Sequence, residues 1–234
     1  MGRDFSALNE YGRREYKFAQ ADSYGQINAE VMGTNYSDKL QNGVCMGVVL
    51  NWTKEKLATS NGLFRRDGPL LNPTTKRFSN PLFGESGPRN ESTMLAGAMT
   101  HLAYVAKSRG TVARELGLIE GAHDPQPTVR LGDGNIPVRI EDSTIAAAGT
   151  GLPKGNAIVV ELEQDDGSGH AIAFYRSRGG TLYFFDPNAG VYEVFESNTV
   201  NFVQAWLEVY VRENSITWKT AARDWCAVYN RTGT

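Results

Sequence analysis

The sequence predicts an α+β fold, with a helical first part packed on an antiparallel β-sheet made by the last third of the chain. Three observations predict it. Apolar residues recur at helical spacing after Asn42, and again from about Thr93 to Arg109. Four short β-rich runs follow one another between Asn156 and Phe195, separated by turn residues. Helix-forming and strand-forming segments are thus segregated along the chain instead of alternating, which is the pattern of α+β folds. The 234 residues, 41% of them hydrophobic, suit one large domain or two lobes sharing a cleft.

Residues 1–40 read as a polar, partly irregular extension, with a short helix near Arg13–Gln20 and then a loop rich in Tyr, Asn, Ser and Gly. The remainder, 41–234, reads as one unit with a helical lobe over about 41–120 and a sheet lobe over about 121–234. Its first helix carries Val44, Val48, Val49, Trp52 and Leu57 on an apolar stripe, with Asn42 as the N-cap. Four prolines make 61–92 a long loop. The second helix presents Leu95, Ala98, Met99, Leu102, Val105 and Ala106, and Thr111–Leu118 gives a further short helix. Pro125, Pro127, Pro137 and Pro153 make 119–155 irregular, with weak strands. Then come Asn156–Glu163, His170–Arg176, Thr181–Phe185 and Val191–Phe195, an antiparallel meander. An amphipathic helix at about Thr199–Arg212 and closing strands at Ile216–Ala221 and Trp225–Tyr229 complete the chain.

Charge and cysteine content exclude several classes. The net charge of −2 lacks the basic excess of a nucleic-acid binder. Cys45 and Cys226 cannot build a disulfide scaffold or a four-thiolate zinc site, so no metal and no cofactor is expected. Met1–Gln20 has no apolar core of a secretory signal, and no run approaches the roughly 18 apolar residues of a spanning helix. Met1-Gly2-Arg3-Asp4-Phe5-Ser6 fits a myristoylation pattern at Gly2, the one route to a membrane that the sequence offers.

Two cysteines and three histidines allow few catalytic pairings. Cys45 falls in the first turn of the first helix, where unbonded N–H groups and the helix dipole stabilise negative charge. Gly43 and Gly47 flank it and leave the backbone open to a substrate. The structural alternative is a small buried hydrophobe. His101 lies beside the apolar face of the second helix and reads as a partly buried imidazole, and His123 as a solvated loop residue. His170 opens a strand directly after a glycine-rich turn. Sixteen residues later the next strand ends at Asp186, so the hairpin closed by Ser177–Gly180 sets the two side by side. Asp186 before Pro187 is otherwise a turn former. A thiol, an imidazole and a carboxylate make a nucleophile, a base and a group that orients the base.

The segment Asn42-Gly43-Val44-Cys45 leading into a helix with Trp52, the strand start Gly169-His170-Ala171-Ile172, and the turn Phe185-Asp186-Pro187-Asn188-Ala189-Gly190 resemble the YopT/AvrPphB-type cysteine proteases, papain-like effectors of bacterial pathogens and symbionts. The 125 residues between Cys45 and His170 are near the roughly 130–150 of papain-type enzymes. The resemblance implies a papain-like fold with the active site between the lobes. It implies Cys45 as nucleophile, His170 as general base and Asp186 as orienter. It further implies an oxyanion site from the Cys45 N–H and an upstream polar side chain, for which Gln41 is the candidate and Asn42 the competitor. The usual offset for that donor falls instead on Leu40 or Lys39. The expected activity is a cysteine endopeptidase, a virulence effector that is secreted without a cleaved signal and cuts host proteins in the host cytoplasm. Two alternatives remain: a glutamine deamidase or transglutaminase using the same triad, and a non-catalytic host-protein-binding module on the same fold. Cys226 reads as inert core.

Overall fold

In the computed structural model, the described residues are 4–19, 44–60, 71–72, 77–78, 90–107, 109–120, 142–164, 169–214, 218–219 and 226–230. The meander is present as expected. Strands β5 (Ala157–Gln164), β6 (Gly169–Arg176), β7 (Leu182–Asp186) and β8 (Gly190–Val194) pair antiparallel in succession. Beyond β5 the sheet continues through β10 (Cys226–Asn230) to β4 (Ile119–Glu120), and β9 (Trp218–Lys219) also pairs with β5. At the other edge lies β1 (Gly12–Tyr16), paired with β8. A separate two-stranded ribbon joins β2 (Leu71–Asn72) and β3 (Arg77–Phe78).

The strands hold consecutive apolar residues, AIVV at 157–160 and AIAFY at 171–175, because both faces of the sheet are covered. Alternate side chains go to opposite cores. Ile158, Val160, Leu162, Ile172, Phe174, Leu182, Phe184, Tyr192 and Val194 point to one. Ala157, Val159, Ala171, Ala173, Tyr175, Phe185 and Val191 point to the other. The second core is closed by helices α1 (Cys45–Ser60), α2 (Asn90–Ala106) and α3 (Arg109–Glu115). The first is closed by α4 (Asp142–Thr150) and α5 (Thr199–Asn214), which pack on each other. The helical lobe packed on an antiparallel sheet is as the sequence predicts, and α4 with α5 adds a helical layer on the far face.

Three expectations are corrected. Residues 12–16 form an edge strand and not the start of a helix. The segment GRREY alternates buried and more exposed side chains, and β8 supplies the partner that local sequence cannot reveal. Within the stretch read as irregular, DSTIAAAGT is helix α4, whose Ile145, Ala146 and Ala148 are buried. The prolines that suggested loops all lie outside it, and its alanines carry the highest helix propensity. Third, α1 begins at Cys45, and its first intrahelical bond runs from Val48 N–H to the Val44 carbonyl. Val44 immediately precedes the helix, and the Asn42 cap expected from sequence lies outside the described residues. Residues 44–53 are buried all round, so the opening turns of α1 are core rather than an amphipathic surface stripe. Gly2, Lys39, Leu40, Gln41, Asn42, Gly43 and His123 lie outside the described residues, as does the side chain of Cys226. No helix among the described residues is long and apolar enough to cross a membrane.

Candidate active site

The site lies at the end of the sheet where β6 begins and β7 ends. The hairpin turn fixes its register: Ser177 N–H donates to the Thr181 carbonyl at 2.9 Å, and Arg176 stands opposite Leu182. Followed along to Ala173 opposite Phe185, that register sets Asp186 across from Ile172, not from His170. His170 is the diagonal neighbour on the same face, because β6 runs three residues past the end of β7, to Gly169. A diagonal separation is still within reach of an imidazole. His170 Nε2 and Asp186 Oδ1 are 2.9 Å apart, both side chains buried.

Asp186 is held by more than His170. Its Oδ1 also accepts the N–H of Asn188 at 2.8 Å, and its Oδ2 accepts the indole N–H of Trp206, on α5, at 2.6 Å. The Ala189 N–H returns to the Asp186 carbonyl at 3.0 Å, closing the turn. The carboxylate that makes the turn through the Asn188 N–H is thus the same one that meets His170. Gly190 ends the turn at φ +105°, where a side chain would also meet the Tyr16 carbonyl of β1. Trp206 is fully buried, with Phe184 at 5.5 Å between ring centroids. The sequence showed Trp206 only as one apolar residue on an amphipathic helix. Its indole nitrogen carries no periodic signal.

Cys45 arrives from the other face. Its Sγ is 3.9 Å from the Gly169 carbonyl and close enough to His170 for a side-chain hydrogen bond. Helix α1 is registered against the sheet by Trp52, which stacks on Phe185 at 5.2 Å and meets Tyr175 edge-on. It is registered against α2 by a glycine crossing. A Cβ at Gly47 would collide with the Gly97 carbonyl and lie 2.6 Å from the His101 nitrogen. Gly47 is thus filled by a neighbouring helix, not left open for a substrate. Asn51 braces the same turn, donating to the Gly47 carbonyl at 2.9 Å and to Thr100 Oγ1 at 2.8 Å.

Burial by itself would lower the His170 pKa, but the charge of Asp186, its hydrogen bond, and the hydrogen bond and charge of Cys45 outweigh it and raise it to about 9. With Nε2 committed to the carboxylate, Nδ1 is the ring atom that can exchange a proton with Cys45. His101 goes the other way: burial between α1 and α2 lowers its pKa. It is a core histidine, more buried than the sequence suggested. The N–H groups of Cys45, Met46 and Gly47 precede the first intrahelical donor and face the helix N-terminus. Among the described residues no group of three His, Cys, Asp or Glu side chains comes together to hold a metal.

The crystal structure of the Pseudomonas avirulence protein AvrPphB superposes on this chain with a TM-score of 0.50 at 18% identity, over 84% of this chain and 95% of that one. The two chains share a fold. No family model and no curated protein matches by sequence. The likeness to AvrPphB therefore concerns architecture, a mixed helical and antiparallel α+β fold of papain-like type. Cys45, His170 and Asp186, the residues the sequence proposed, meet at one end of that sheet. Gln41 falls outside the described residues.

Proposed function

We propose that the chain is a papain-like cysteine endopeptidase that cleaves proteins of a host cell, with Cys45 as nucleophile, His170 as general base and acid, and Asp186 as the group that orients His170. The observation that carries this reading is the buried 2.9 Å contact of His170 Nε2 with Asp186, with Cys45 beside the start of the same strand, its Sγ 3.9 Å from the Gly169 carbonyl. In the reaction, the Cys45 thiol proton passes to His170 Nδ1. The sulfur attacks the scissile carbonyl carbon, and the carbonyl π electrons move onto oxygen. That oxyanion faces the Cys45 N–H at the start of α1. As the C–N bond breaks, Nδ1–H protonates the leaving amine and an acyl-thioenzyme remains. Water then attacks it, giving its proton to His170, and the thiolate leaves and is reprotonated. Asp186 keeps Nε2 as the donor nitrogen and balances the imidazolium charge throughout.

Shared architecture with AvrPphB supports the fold on which this chemistry rests. Incubation of the wild type with host-cell lysate should generate new peptide N-termini that are absent with Cys45→Ala. An epoxide reagent of papain-like enzymes should label Cys45 in the folded protein, and more slowly in His170→Ala. Identical labelling of the two proteins, with no new N-termini, would overturn the proposal. A mass increase of about one unit at glutamines without cleavage would redirect it to amide hydrolysis by the same thioenzyme.

A further inference from the structure

Oδ2 of Asp186 points away from His170 and toward α5, a helix with no part in the proposed chemical steps. There it meets Trp206 Nε1 at 2.6 Å, inside a core of Phe184, Phe202 and Tyr192. An indole can donate one hydrogen bond, cannot accept one and does not titrate. Set on Oδ2, it fixes the carboxylate's rotation so that Oδ1 faces His170, and it stabilises the ionised form in an apolar surround.

We infer that Trp206 is a positioning residue of the Cys45–His170–Asp186 site, coupling α5 to the nucleophile through the Asp186 carboxylate. The inference rests on the peptidase reading above. The titratable and charged groups around Asp186 include His170 from β6, Tyr192 from β8 and, through His170, Cys45 from α1. Arg14 of β1 stands behind Tyr192, donating to its phenolic oxygen at 2.7 Å. Helix α5 contributes the uncharged indole. Removing that donor makes Asp186 easier to protonate, so the support it gives His170 fails at a higher pH. A hydrogen bond to a charged group corresponds to roughly one pH unit or more.

The test compares wild type, Trp206→Phe, and a variant with benzothienylalanine at 206, which keeps the bicyclic shape and replaces the N–H by sulfur. The rate of Cys45 alkylation by iodoacetamide, measured against pH, needs no substrate. Both variants should move the acid limb up by about one unit while the plateau rate stays within a few-fold of wild type. A limb that superposes on wild type in the benzothienylalanine protein overturns the inference, whatever its melting temperature. Should Trp206→Phe fail to fold, the isosteric variant alone decides. Failure of the peptidase reading looks different: wild-type alkylation would then be insensitive to His170→Ala.

Discussion

The two faces of the sheet bring different groups to the site. On the α1 face, helices approach closely because side chains are absent: Gly47 meets the backbone of α2, and Gly97 meets Val48. On the α5 face, space is filled by large rings, with Phe184 at 5.2 Å from Phe202 and 5.5 Å from Trp206. The first face delivers a backbone feature, the N-terminus of α1 with Cys45. The second delivers a polar atom held inside an aromatic core, the Trp206 nitrogen on Asp186. Close helix contact fixes where Cys45 is, and aromatic packing fixes how the Asp186 carboxylate meets His170.

The largest effect comes from breaking the joint between the faces. Cys45→Ala and His170→Ala should each lower peptide cleavage about 10⁴-fold or more, and the double variant should be no worse than either. Losses that multiply would show that the two side chains do not act as one unit. Next, Trp52→Ala and Trp206→Ala, one on each face, should each cost about 3–5 kcal/mol in denaturant unfolding. Trp206→Phe should move the pH profile of thiol alkylation, and Trp52→Phe should leave it in place.

The His170–Asp186 pair gives a pH dependence whose sign follows from the raised His170 pKa. A folded value above the ordinary 6.5 means that its stabilisation is complete below about 6.5 and is lost as pH rises through about 9. At about 1.4 kcal/mol per pH unit this is on the order of 3 kcal/mol. Unfolding free energies at pH 6, 8 and 10 should fall by this order in the wild type, and much less in Asp186→Asn.

Gly47→Ala should destabilise by about 1–3 kcal/mol, since the added methyl group meets α2 backbone that cannot rotate away. A neutral result would show that the glycine crossing on the α1 face is loosely packed. Smallest of all, Val105→Ser on α2 and Val200→Ser on α5, both about half exposed, should change stability by less than about 0.5 kcal/mol.

The meander and the His170–Asp186 pairing were legible because both are written in short-range sequence. Turn residues mark the hairpins, and the distance from His170 to Asp186 is set by one tight turn. What could not be read depends on contacts made elsewhere. The strand at 12–16 needs β8, about 180 residues away, before its pattern has meaning. The apolar stripe of α1 reads as amphipathic in sequence, but residues 44–53 are buried on every side because α2 and the sheet enclose them. Gly47 looked like an opening because sequence shows a missing side chain but not the helix that occupies its place. The diagonal relation of His170 and Asp186 follows from counting residues outward from the turn, which assigns Ile172 to Asp186. The role of Trp206 was hidden because the same residue satisfies an apolar pattern and a hydrogen bond.

The pairing of β1 with β8 also bears on how the chain is made. Residues 12–16 are synthesised long before β8, the strand they pair with, and β9 and β10 follow later still. Until then β1 has no ladder, and closing so long a loop is slow compared with forming the β6–β7 hairpin. The hairpin carrying His170 and Asp186 can therefore assemble before β1 docks beside the turn at Gly190. Assembly of the base and its carboxylate would precede the sealing of the sheet edge, an order that a nascent chain arrested at successive lengths would reveal.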